Sequence, residues 1–263
     1  MLLLASIFVI LTLLVIFKLI AEPLYMLIFK KPLYIHYYPF PRKLTETQKS
    51  ILQKEFHFYK NLSDKRKTYF EHRVSTFLTK YKFAGYEISV ENDEVKMIVA
   101  GTYVMLTFGM RQYLTTVFDK IIIYPNIYYS KVNEAYHKGE FNPHMKAIVF
   151  SWADFLSGHQ ITNNNINLGL HEFTHALHIS SKKRQYSSDV IFVDEFNSIL
   201  DYLQDDDFRK KMLNDSYFRD YAYENQFEFL AVLLEHFFET PDDFKRFYPE
   251  LFEHVKRMIN FQH

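Results

Sequence analysis

His171 and His175 stand four residues apart, with Glu172 directly after the first, in the segment Leu170-His171-Glu172-Phe173-Thr174-His175-Ala176-Leu177. On a helix that spacing places both imidazoles on one face, one turn apart, where both can reach a single zinc ion. Glu172 beside the first ligand is positioned to take a proton from water at the metal. Zinc lowers the pKa of that water and polarises a scissile carbonyl, so the chemistry indicated is hydrolysis of a peptide bond. The flanking residues are apolar or small, as expected for a buried helix beneath a cleft. A helix whose histidines merely satisfy core hydrogen bonds is the plainer alternative.

A catalytic zinc centre takes a third protein ligand and keeps one position open. The extended motif with Gly and His after the second histidine is excluded, because His178 and Ser181 occupy those places. His178 shares a face with His175 but lies about 10 Å along the axis from His171, an awkward reach for one ion. Glu195, in the pair Asp194-Glu195, is a real rival. Glu228 interrupts the otherwise apolar run Phe227 to Val232, and a lone carboxylate there needs a compensating partner such as a metal. The pattern places Glu228 modestly ahead of Glu195. Glu235, one heptad later, reads as a core hydrogen-bonding group or a support for a ligand.

The rest of the chain limits what else is available. Cysteine is absent, which removes disulfides, thiolate zinc sites, iron–sulfur clusters and a cysteine nucleophile. Any metal must therefore be held by His, Asp or Glu, and twelve histidines are present. Basic and acidic residues balance at 31 each, so no electrostatic argument for nucleic acid exists. A hydrophobic content of 48% over 263 residues supports one substantial core.

Leu2 to Phe17 carry no charge, and after Lys18 a second apolar stretch runs to Phe29, interrupted by Glu22 and Pro23. No basic segment precedes the run and no small-residue cleavage site follows it, so residues 1–29 read as a retained transmembrane anchor, with Lys18 snorkelling to an interface. Lys30, Lys31, Arg42 and Lys43 follow, which predicts a cytoplasmic catalytic domain by the positive-inside bias. Residues 30–43, with three prolines, form a connector. Residues 44–263 form the single catalytic domain.

Within that domain Thr45 and Gln48 have capping-box spacing, and Ile51, Leu52, Phe56 and Tyr59 follow at helical intervals. Ser63 is placed to cap the next helix. Ile121–Tyr124 and Ala147–Trp152 read as short buried strands, and the edge of the latter as a place for substrate to add a strand. Val95–Phe108 is ambiguous: β-branched in content, helical in length. Residues 162–167 are an Asn-rich loop. Thr240-Pro241-Asp242-Asp243 marks a helix start in a largely helical C-terminal third.

Several separated motifs, in order over residues 44–260, resemble the Mlc titration factor A family of zinc metallopeptidases. They include Phe70-Glu71-His72-Arg73-Val74, Leu106-Thr107-Phe108-Gly109, Ile121-Ile122-Ile123-Tyr124-Pro125, Phe150-Ser151-Trp152 with Gly158, the His171–Leu177 segment, Glu228-Phe229-Leu230-Ala231-Val232 and Tyr248-Pro249-Glu250-Leu251. In its metal site the family is similar to the catalytic domain of anthrax lethal factor. The resemblance implies an α+β, mainly helical, zincin-like domain with a small sheet, in which Val95–Phe108 is helical. It implies Glu228 as the third ligand and Tyr221, seven residues earlier, as an oxyanion donor, with Tyr223 the nearby alternative. It further implies peptidase action, described for the family as aminopeptidase, while the family's named member also binds a transcriptional repressor of sugar metabolism. A regulatory protein-binding module with structural zinc is thus the alternative function. The chain departs from the pattern in having His178 where Asp is usual, in missing an Asp-Gly-x-Pro loop between Ser180 and Val193, and in its N-terminal apolar segment.

Overall fold

A computed structural model describes residues 2–130 and 134–262. It begins with a continuous apolar helix: α1 (Leu2–Ile16), a π-helical turn (Phe17–Ala21) and α2 (Glu22–Phe29). Pro23 does not end the helix. Proline lacks the N–H for the helical ladder and crowds the carbonyl four residues earlier, and the widened turn just upstream absorbs both effects. By length and composition this one helix could cross a membrane; the side chain of Lys18, expected at an interface, lies outside the described residues. The connector has no regular structure, yet it is tied down: the His36 ring stacks on Tyr69 at 4.8 Å, and Tyr38 accepts a hydrogen bond from Arg73 at 2.8 Å.

The domain opens with α3 (Glu46–Glu55), α4 (His57–Lys60) and α5 (Asp64–Lys80). Both halves of the capping box at Thr45 form, at 3.2 and 3.1 Å. Ser63 occupies the cap position of α5, but its hydroxyl makes no capping bond. After β1 (Lys82–Gly85) comes α6 (Asp93–Thr107), a helix capped by the Asn92 side chain. Residues of α6 are buried on every side, so no polar stripe marks its period, which is why its composition leans towards strand. Arg73, fully buried on α5, donates to the carbonyls of Thr107, Phe108 and Met110 at 2.8, 3.1 and 2.8 Å, where α6 ends.

The remaining strands are β2 (Lys120–Tyr124), β3 (Tyr128–Ser130), β4 (Ala135–His137), β5 (Gly139–Asn142) and β6 (Ala147–Ser151). The main sheet has the order β1-β2-β6-β5, with β1, β2 and β6 parallel and β5 antiparallel, while β3 and β4 form a separate hairpin. This corrects one expectation. β6 is an interior strand paired on both sides and cannot accept an added strand; the edge strands of this sheet are β1 and β5. Trp152 also leaves the strand and begins α7 (Trp152–Gln160), capped by Ser151.

The helix α8 (Leu168–Ser181) is capped by Asn167 at the end of the Asn-rich loop. It packs against α6, α7, β5 and β6 on one side. On the other lie α9 (Ser187–Tyr202) and α11 (Gln226–Glu239), with α10 (Asp206–Asp215) and a 3-10 turn (Asp220–Tyr223) between them. α12 (Pro241–Phe247) and α13 (Pro249–Met258) complete a mainly helical domain with a small sheet. Thr240 precedes α12 as expected, but its hydroxyl reaches Asn165 at 2.7 Å instead of capping the helix.

Candidate active site

α8 is held in the core by Phe173, whose ring lies 5.0 Å from Tyr103 and 5.5 Å from Phe150. With that face fixed, His171 and His175 point towards α11. Asn225 caps α11 by accepting from the Phe227 and Glu228 amides at 2.9 and 3.1 Å, which sets Glu228 in the first turn facing the histidines. Glu228 Oε2 lies 2.9 Å from His171 Nε2 and 3.5 Å from His175 Nε2, and the two Nε2 atoms are 3.1 Å apart.

Those spacings fit a metal. Four ligands about 2.05 Å from a tetrahedral zinc ion would stand about 3.3 Å from one another. The second ring nitrogen of His171, Nδ1, meets Glu235 Oε1 at 3.1 Å. When Nδ1 carries the proton for that bond, Nε2 offers a lone pair towards a carboxylate oxygen, and two acceptors pointed at each other want a cation between them. Burial works against charge on His171, yet the neighbouring Glu228 and Glu235 hold its pKa up at about 10. Burial likewise opposes ionisation of Glu228, but the two histidines pull its carboxyl well below the ordinary range. The cluster is thus an anionic pocket that favours positive charge.

Glu172 lies on the sheet side of α8, buried, with its carboxyl raised by that burial despite the pull of His171 and His175 and a hydrogen bond with the Phe141 backbone. β5 approaches α8 closely at Gly139, where a side chain would press on Leu168 and Glu172. A Cβ there would stand 3.0 Å from Glu172 Oε1 and 2.6 Å from Leu168 Cδ1. Tyr221, in the 3-10 turn before α11, sits with its ring 5.7 Å from that of His171 and remains 41% exposed. Burial and then the charge of Glu228 raise its phenol above the usual value. Tyr223 turns away and donates to Met212 O at 3.1 Å.

The other candidates fall elsewhere. Glu195 bonds His254 at 2.7 Å and Arg257 at 3.1 Å, joining α9 to α13. His178 is buried one turn past His175, its ring 4.8 Å from Phe196 and 5.0 Å from Phe227. Burial, with Lys182 and His175 nearby, pushes its pKa down to about 4. Residues that no spacing rule marked also shape the site. Arg219 pairs with Glu235 Oε2 at 2.5 Å and donates to the Asn165 carbonyl, linking the Asn-rich loop to the carboxylate behind His171. Nothing local in the sequence distinguishes this arginine from those on the surface. Replacing Glu235 by Ala is expected to weaken metal binding about 10–100-fold, because His171 loses the group that orients it. A competition titration with a chromogenic chelator measures this, and unchanged affinity would remove Glu235 from that role.

Two helical histidines one turn apart, met by a glutamate from a second helix beside a sheet edge, define a metallopeptidase type of centre. The chain belongs to the glucose-regulated metallo-peptidase family M90, whose family model matches residues 36–259. The resemblance in the sequence motifs is therefore borne out. The chain is also similar to a Synechocystis sp. protein described as the uncharacterized protein slr2042. The two are 22% identical over 242 residues, covering 83% of this chain and 85% of that protein.

Proposed function

We propose that this chain is a membrane-anchored zinc-dependent peptidase on a zincin-like domain, with residues 1–29 as anchor, 30–43 as connector and 44–263 as catalytic domain. The observation that carries the reading is the convergence of His171, His175 and Glu228 donor atoms within 4.8 Å of one another, beside a buried glutamate. These three residues would hold the ion. Once bound, zinc supplies Lewis acidity, polarising a carbonyl and acidifying water. Glu172 accepts the proton of the attacking water and returns it to the leaving amine. Tyr221, half-exposed at the mouth, donates its hydroxyl hydrogen bond to the developing oxyanion. The outer edge of β5, unpaired by any strand among the described residues, takes the peptide as an added strand and presents its carbonyl to the cluster. Lys30, Lys31, Arg42 and Lys43 after the apolar helix favour a cytoplasmic domain.

The test is metal removal. Full-length protein purified in mild detergent should turn over members of a peptide library, lose that activity on chelation, and regain it with stoichiometric zinc. Zinc-loaded protein inert towards the whole library, while binding a protein partner from solubilised membranes, would replace this reading with that of a regulatory module.

A further inference from the structure

A cavity of about 1110 Å³ lies between the apolar helix and the domain, sharing no lining residue with the metal cluster. Leu14, Phe17 and Met26 line it from the helix, and Arg111, Tyr113 and Val190 from the domain. Its polar end is built around Arg111. The guanidinium pairs with Glu22 just past the apolar run, donates to Ser187 Oγ at 2.6 Å, and lies 4.6 Å over the Tyr34 ring. Arg111 Nη1 is nevertheless buried without a hydrogen-bond partner.

The charges around the cavity are committed unevenly. Each lining carboxylate has an ion-pair partner: Glu22 with Arg111, through an Oε1 that like Arg111 Nη1 is buried without a hydrogen bond, Asp194 with Arg184 at 2.8 Å, and Glu195 with His254 and Arg257. On the cationic side, Arg111 Nη1 lacks an acceptor and Lys30 makes no ion pair among the described residues. The unmet demand is for an anion. A free phosphate would leave the aliphatic and aromatic wall uncovered, whereas an amphiphile covers both parts.

Position argues the same way. The helix Leu3–Phe29 has 27 residues and so extends about 40 Å, against about 30 Å of bilayer hydrocarbon. With the apolar run in the hydrocarbon, α2 stands in the headgroup layer and the Leu14–Phe17 wall faces lipid tails.

We infer that this cavity holds one membrane phospholipid, its phosphate on Arg111 and Lys30 and an acyl chain against Leu14, Phe17 and Met26. The inference rests on the anchored reading above. The test extracts full-length protein in mild detergent, washes it extensively, and counts bound phospholipid by solvent extraction and mass spectrometry. Wild type should retain one phospholipid per chain. The double variant Arg111→Gln/Lys30→Gln, and separately Val190→Trp, which fills the cavity without touching the ion pair, should each lower retention about ten-fold. Zinc content and thermal midpoint report that the variants are folded. Protein that resists alkaline extraction from vesicles yet keeps no phospholipid overturns the inference while leaving the anchor intact. Full retention by both folded variants overturns it as well. Release at alkaline pH removes the anchor and the inference with it.

Discussion

Peptide turnover by a Glu172→Gln variant is expected to fall about 10²–10⁴-fold, the range for losing a positioned general base. The amide keeps the volume and one hydrogen-bond acceptor of the carboxylate, so the fit against Gly139 and the Phe141 backbone survives. Zinc content should remain that of the wild type, because the three converging donors belong to His171, His175 and Glu228. Steady-state kinetics beside metal analysis decide the matter: wild-type kcat with zinc retained would eliminate Glu172 as the base. A Tyr221→Phe variant provides the comparison. Removing one oxyanion donor costs about 10²–10³ in kcat, and since Tyr221 acts only as charge develops, KM should change little. A large rise in KM at constant kcat would make Tyr221 a binding residue instead.

The second large effect concerns stability. Arg73→Ala should lower the unfolding free energy by roughly 3–5 kcal/mol, the scale for emptying a buried charged network. Among the described residues Arg73 has no carboxylate partner. Its charge is matched by the carbonyl end of α6, by Tyr38, and by the ring of Tyr113 at 4.3 Å. Truncation removes the guanidinium donor from three buried carbonyls at once, of which Thr107 O keeps the Met110 amide at 2.9 Å, and frees the connector. Lysine should fail almost as badly, since one ammonium cannot reproduce a planar fork reaching three acceptors and a phenol. Urea titration of the full-length protein in detergent, followed by circular dichroism, measures the loss. A change below about 1 kcal/mol would show that the network contributes no more than a surface pair.

What the sequence made legible follows from how local each feature is. His171, Glu172 and His175 are read from one helical turn, and the capping box at Thr45 from three residues. Glu228 was visible only as a carboxylate out of place in an apolar run, and Glu195 looked comparable. The difference between them is tertiary: Glu195 faces α13, and Glu228 faces α8. The short strands β1, β3, β4 and β5 carried no signal, because edge strands of three or four residues lack a buried run. The apolar run of β6 marks a strand but not its place in the sheet, since a strand's position is set by pairing across the chain. The buried arginine on α5 and the Arg219–Glu235 pair depend on neighbours far away in sequence. Thr240 and Ser63 mark helix starts correctly even though neither hydroxyl caps its helix.

The placement of Glu228 on α11, far downstream of α8, also has a bearing on how the chain is made. A ribosome delivers the polypeptide from its amino end, and domains fold once their elements have emerged. The two histidines are synthesised well before the glutamate opposite them, and α11, which brings that glutamate against α8, follows only after α9 and α10. A nascent chain therefore holds only a two-point site, too weak to retain an ion against competition. The three donors therefore come together only once α11 has emerged and packed against α8.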